Sequence, residues 1–223
     1  LKKFGIKIEN HNYMRYVIPG GQKYKARNFV IEGDYSQAAF FLVAGAIGGN
    51  VECLGLDEDS LQGDRAIIDI IKRTGAKIEK TKEGIRAVQT ANMHGITVDA
   101  REVPDLVPIV SVLLALCRGE SNIINAGRLR MKESDRLEAT RSELGHLGAD
   151  ITEGADSLKI IGKQVLESSN VSSRSDHRIA MSLAIAAQRC EGGSITIMGA
   201  ADAVKKSYPD FFDAYGKLCG QLI

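Results

Sequence analysis

Residues 34–49 read DYSQAAFFLVAGAIGG: one aspartate, an apolar run with almost no polar break, then a glycine pair. The pattern returns twice. Residues 105–119 read DLVPIVSVLLALCRG, and residues 176–193 read DHRIAMSLAIAAQRCEGG. The three aspartates, Asp34, Asp105 and Asp176, stand at one interval of 71 (105 − 34 and 176 − 105). Aspartate is a favoured N-cap because its carboxylate accepts the free amide hydrogens of the first helical turn. Glycine is a common helix stop. Each stretch therefore predicts a helix, and a helix apolar on nearly every face is buried all round. A short β-like stretch follows each one: VECLGL (51–56), SNIINA (121–126) and SITIMG (194–199).

A second aspartate follows in each repeat, in QGDR (62–65), ESDR (133–136) and YPDF (208–211). Amphipathic patterns come after it: AIIDIIKRTGAKI (66–78), LEATRSELGHLGADI (137–151) and FDAYGKLCGQLI (212–223). Gly75-Ala76 and Gly148-Ala149 read as helix stops followed by strand. Strand-like pairs come next, for example GIRAVQ then GITVDA. The unit is strand, helix, strand, helix, strand, strand. Repetition of such a unit predicts an α/β fold with helices packed inside, sheets outside and a pseudo-threefold arrangement. Residues 1–8, LKKFGIKI, match residues 71–78, IKRTGAKI. The chain is thus expected to open in the second helix of a repeat whose front is missing.

Composition bounds the function. The 223 residues are 44% hydrophobic and 26% charged, which is globular. Lys and Arg number 29 against 28 Asp and Glu. A net charge of +1 gives no global field to recruit nucleic acid or a membrane, so neither is expected as a partner. An anion site has to be built locally. The longest apolar runs, 38–47 and 106–117, fall short of the roughly 18 residues a spanning helix takes. No signal-peptide pattern opens the chain. Cys53, Cys117, Cys190 and Cys219 lie far apart with no C-x-x-C spacing. They read as reduced thiols of a cytoplasmic protein. The histidines show no ligand spacing, and no metal is expected. No Walker-type or dinucleotide glycine motif occurs, so no cofactor is expected.

Each of these aspartates, taken alone, is read as a cap; Asp135 with Glu138 is a capping-box-like pair. Together they say more. Related helices about a pseudo-axis point their positive ends at one surface, where free N–H groups bind phosphate and carboxylate. Basic residues stand at equivalent places: Lys132 and Arg136 flank one helix start, Arg178 follows the cap of another, and Lys206 precedes Tyr208-Pro209-Asp210. Arginine suits such anions because its fork is bidentate. Glu133, Asp105 and His177 complete the set. A carboxylate beside Lys and Arg is commonly an ion pair, and becomes an acid or base when a cleft perturbs it.

The stretches Glu32-Gly33-Asp34, Val103-Pro104-Asp105, 130–137 (RMKESDRL), 175–181 (SDHRIAM) and 206–211 (KSYPDF) resemble 5-enolpyruvylshikimate-3-phosphate synthases. The resemblance runs from Leu1 to the C-terminus and covers the C-terminal half of that family. It implies two domains of three βαβαββ units each, with the active site between them. Residues 1–31 would be the tail of the N-terminal domain, and 32–223 the C-terminal domain of three such units. The implied reaction moves the enolpyruvyl group of phosphoenolpyruvate to the 5-hydroxyl of shikimate 3-phosphate and releases phosphate, on the route to chorismate and the aromatic amino acids.

Residue roles follow from the same likeness. Asp105 matches the aspartate at the 5-hydroxyl, taken as its base. Lys132 matches a lysine for the shikimate 3-phosphate group. Glu133 matches a glutamate beside the phosphoenolpyruvate methylene. Arg136, Arg178 and Lys206 match the phosphoenolpyruvate cations. His177 and Asp34 match cleft residues. Arg128 stands where relatives carry an asparagine and is left out of the set. The other substrate-binding residues lie in the N-terminal half, so this chain is expected to be folded but inactive without it. The alternatives are UDP-N-acetylglucosamine enolpyruvyl transferase and a non-catalytic repeat domain.

Overall fold

A computed structural model of the chain describes residues 1–219. The end of the 212–223 pattern and the side chain of Cys219 lie outside the described residues. The chain divides into two units, Leu1–Glu32 and Gly33 onward.

The first unit has a single 3-10 turn, Lys2–Phe4, closed by Gly5 at φ 82. The hairpin β1 (Glu9–His11) and β2 (Arg15–Val17) follows, antiparallel with Glu9 opposite Val17. Its turn residues Asn12 and Tyr13 are both left-handed, which suits a tight hairpin. Gly5 has the conformation of Gly75 (φ 91) and Gly148 (φ 77), so the match of 1–8 to 71–78 holds at the helix stop. The helix expected before it is only the 3-10 turn.

The second unit begins with α1 (Tyr35–Gly48), β3 (Asn50–Leu54), α2 (Ile67–Arg73), β4 (Lys77–Lys80) and β5 (Gly84–Val88). It continues with β6 (Thr97–Asp99), α3 (Val107–Ala115), β7 (Glu120–Ile124), α4 (Arg136–His146), β8 (Asp150–Glu153) and β9 (Leu158–Ile161). Then come β10 (Leu166–Glu167), β11 (Asn170–Ser172), α5 (His177–Ala186), β12 (Cys190–Glu191), β13 (Thr196–Met198), α6 (Ala200–Val204) and α7 (Phe211–Cys219). The middle repeat, β6 to β9, has all six elements of the expected unit. Its sheet order is β6-β7-β9-β8, with β6 parallel to β7 and the last two strands antiparallel. The first repeat has the equivalent sheet without the leading strand, β3-β5-β4. Among the described residues the third has the leading parallel pair, β11-β13, followed by α6 and α7. The stretch GITVDA belongs to β6 and opens the middle repeat; it does not pair with β5.

α1, α3 and α5 pack pairwise on one another and form the centre. Every residue of α3 and of α5 is buried. A fully buried Leu or Phe contributes about 1.5–3 kcal/mol, and these helices supply Phe40, Ile47, Leu113, Leu114 and Ile185. Gly45 shows how tightly α1 meets its sheet: a Cβ there would lie 2.6 Å from the Ala87 carbonyl oxygen and 2.9 Å from the Val51 nitrogen. Phe211 of α7 closes the core, stacked on Tyr215 and edge-on to Phe40. Cys53, Cys117 and Cys190 are unpaired, and burial pushes the Cys117 thiol up to about 12. No helix among the described residues is long and apolar enough to cross a membrane.

Candidate active site

The starts of α1, α4 and α5 follow the capping rule. Asp34 accepts from the Ser36 amide at 2.8 Å, Asp135 from the Glu138 amide at 3.1 Å, and Asp176 from the Arg178 amide at 2.9 Å. Asp105 does not cap. The chain enters α3 through a 3-10 turn, Pro104–Leu106, in which no side chain caps. Pro104 and Pro108 carry no amide hydrogen, so fewer donors await a cap. Asp64 also departs from the expected capping role: it lies within a 3-10 turn and accepts from the Ser36 hydroxyl at 2.5 Å.

The freed Asp105 carboxylate turns to cations. Its Oδ1 lies 3.0 Å from Lys132 Nζ and accepts from Arg136 Nη1 at 2.8 Å. Its Oδ2 lies 3.5 Å from Arg178 Nη2, and its backbone oxygen accepts from Arg178 Nη1 at 3.2 Å. Arg136 is the hub. Only 1% of it is exposed. Its Nε donates to Asp176 at 2.7 Å, and its Nη2 donates to Glu133 at 2.6 Å and to Asp176 at 3.3 Å. Glu133 accepts in turn from Lys206 Nζ at 2.9 Å. Five of the six residues named for catalysis or substrate binding touch Arg136 or Asp105 directly, and Lys206 joins through Glu133.

The electrostatics follow from this packing. Burial pushes the Asp105 carboxyl up, but Arg178, Lys132 and Arg136 outweigh it and hold it below its ordinary value. Burial acts likewise on Glu133, where the Lys206 hydrogen bond, its own backbone amide and Arg136 bring it down to about 2. Both are anions at neutral pH. Asp176 is wholly buried and takes four donors: two from Arg136, the Ser134 hydroxyl at 3.1 Å and the Arg178 amide. Its lone pairs are committed, so it acts as an anchor for Arg136.

The two remaining named residues differ. His177 is buried at the start of α5. Its Nδ1 has no hydrogen-bond partner; the nearest Asp176 oxygen is 3.9 Å away, too far to accept. Burial lowers its pKa, which keeps it neutral. Asp34 is exposed, and none of its hydrogen bonds or ion pairs reaches the cluster. It borders an open groove of about 860 Å³ between α1, β3 and α7. Beside the cluster lies a polar cavity of about 440 Å³ lined by Ser36, Gln62, Asp64, Glu102, Asp105, Arg128 and Lys132. That volume suits a small polar ligand. Arg128, set aside on sequence, lines it. Gln62 accepts from the Tyr35 amide at 2.8 Å and donates to the Gly33 oxygen at 2.9 Å, so the QGD motif fastens the start of α1. Among the described residues, no three His, Cys, Asp or Glu side chains are gathered to hold a metal ion.

Comparison with known proteins places the chain in a family. The family model "EPSP synthase (3-phosphoshikimate 1-carboxyvinyltransferase)" matches residues 1–215. A 3-phosphoshikimate 1-carboxyvinyltransferase of Clostridium novyi (strain NT) is 51% identical over 220 residues, which are 99% of this chain and 50% of that protein. The one of Clostridioides difficile (strain 630) is 46% identical over 223 residues, again 50% of its length. A solved structure of EPSP synthase from Acinetobacter baumannii superposes with a TM-score of 0.86 at 28% identity, covering 98% of this chain and 52% of that one. The chain spans about half the length of the curated relatives it matches. With nearly its whole length inside the family model and a helix-start cluster of the kind the motifs imply, the chain belongs to the EPSP synthase family.

Proposed function

We propose that this chain supplies the C-terminal wall of an active site that transfers the enolpyruvyl group of phosphoenolpyruvate to the 5-hydroxyl of shikimate 3-phosphate. In this reading residues 1–31 end the N-terminal domain and 32–223 form the C-terminal one. The enzyme is cytoplasmic and works with the N-terminal half that the relatives' length implies. One observation carries the proposal: Asp105, Lys132, Glu133 and Arg136 of the middle repeat and Arg178 and Lys206 of the third form one unbroken chain of contacts.

Each residue has a task. Arg136, Arg178 and Lys206 hold the carboxylate and phosphate of phosphoenolpyruvate, and Lys132 the 3-phosphate of the other substrate. A proton delivered at the methylene by Glu133 leaves a cationic carbon. Asp105 removes the 5-hydroxyl proton as that oxygen attacks. The tetrahedral adduct then expels phosphate while Glu133 takes a proton back from the methyl group, which restores the vinyl bond, and the cations stabilise the charge of the leaving phosphate.

The low proton affinities of Asp105 and Glu133 fit this chemistry once the substrates are considered. A general base or acid works best with a pKa near the working pH. Substrate anions compete for the cations that hold Asp105 and Glu133 low. As Lys132, Arg178 and Lys206 turn to substrate, both carboxylates gain proton affinity when they need it.

The test supplies the N-terminal half in trans and measures phosphate release with both substrates. Release is expected from the pair and not from this chain alone; no release from the pair would overturn the proposal. Thermal stabilisation of the pair by shikimate 3-phosphate, and not by UDP-N-acetylglucosamine, separates this reaction from that of the nucleotide-sugar transferase.

A further inference from the structure

We infer that Glu143 and Arg174 are positioning residues: their ion pair holds the turn that delivers Asp176 to Arg136. Glu143 stands seven residues after Arg136 on α4, two turns along the same face. It is only 2% exposed. Its Oε2 accepts from the Ser172 amide at 2.8 Å and its Oε1 from Arg174 Nε at 2.6 Å. Arg174 Nη2 also donates to the Ser142 hydroxyl at 3.2 Å. One face of α4 therefore grips the segment before α5 twice, through Glu143 at Ser172 and Arg174 and through Arg136 at Asp176.

The segment between those grips is strained. Arg174 (φ 50) and Ser175 (φ 55) are consecutive non-glycine residues in the left-handed region. Such residues persist where the surroundings over-determine them, and they cluster at functional sites. Here they turn the chain so that Asp176 faces inward, with its amide donating to the Ser173 oxygen at 2.9 Å. The charged neighbours of the pair are the exposed His146 and the half-buried Glu138. His146 Nδ1 is 3.5 Å from Glu143 Oε2, and Glu138 Oε2 is 3.7 Å from Arg174 Nη1. Neither closes the turn.

The consequence for catalysis rests on the function proposed above, in which Arg136 binds phosphoenolpyruvate. A misplacement of about 1 Å in a positioning group can cost up to about a hundredfold. The test uses the two-half enzyme and variants E143Q, R174A, R174K and R174G, with E138Q as control. In E143Q and R174A the KM for phosphoenolpyruvate should rise about tenfold with kcat within about twofold, and amide exchange at Asp176 and Arg178 should quicken. R174K should recover part of the KM, and E138Q should match wild type. R174G relieves the left-handed strain but lacks the pair; it should regain thermal stability and keep the raised KM.

Wild-type KM and exchange rates in folded E143Q and R174A would overturn the inference, as would a wild-type KM in R174G. If the unmodified enzyme shows no turnover, the proposed reaction fails, and exchange at Asp176 alone decides the clamp.

Discussion

α1 and α5 begin alike in sequence and differently in space. Each has an aspartate cap before a buried helix, and each cap takes the amide two residues on, at 2.8 and 2.9 Å. Asp34 is exposed, and its carboxylate accepts from that amide. Asp176 is wholly buried and also holds Arg136 and Ser134. The repeat provides the cap; a neighbouring arginine turns one copy into an anchor. At α3 the same position, Asp105, gave up capping and became the carboxylate of the cationic cluster. Three copies of one residue thus have three fates, set by what the adjacent repeat presents to them.

The sharpest way to break the comparison is Asp176→Ala. It leaves the Arg136 guanidinium buried without its main partner, a loss of about 3–5 kcal/mol, read from chemical denaturation. A loss near 1 kcal/mol, the ordinary value of a cap, would make Asp176 no different from Asp34. Next comes Asp105→Ala in the two-half enzyme. Turnover should fall about 10²- to 10⁴-fold, the range of a general base. Near-wild-type turnover would remove Asp105 from that role. Asp34→Ala should cost about 0.5–2 kcal/mol with turnover little changed, because only a cap is lost.

The smallest effect is on pH. Glu133 falls from 4.5 to about 2 in the folded chain. A carboxyl with a depressed folded pKa stabilises the fold above its unfolded value and loses that contribution as pH drops to the folded value. Its share is therefore complete above about pH 4.5 and gone below about pH 2. Glu133→Gln should flatten the stability profile between those limits; an unchanged acid limb would mean that Lys206 and Arg136 do not hold Glu133 in solution.

Much of this was legible in the sequence because it is periodic. The 71-residue interval announced the three buried helices and the strands after them, and the cations beside the helix starts lie in one cluster; of the glycine stops only that of α1 holds, since α3 has its C-cap at Leu116 and α5 at Ala187. What was not legible arises between repeats. Capping was expected of Asp105, although Pro104 and Pro108 remove amides from that helix start. Asp64 bonds a hydroxyl of another helix, which no local pattern announces. Asp176 read only as a cap because three of its four donors come from Ser134 and Arg136, some 40 residues away in the chain. Arg128 was passed over for lack of a family counterpart, yet it lines the polar cavity. The grip of Glu143 on Arg174 joins residues 31 apart, and neither looks unusual on its own.

The cations of the cluster already have carboxylate companions, and this has a bearing on selectivity. A bare patch of four basic side chains would soak up chloride and sulfate from the cell. Here a stray ion gains little, since it must first part Lys132 from Asp105 or Lys206 from Glu133. A molecule with negative charge at two ends can replace both companions in a single event. Discrimination against simple salts is thereby wired into the resting protein, ahead of any fit to the ligand's shape.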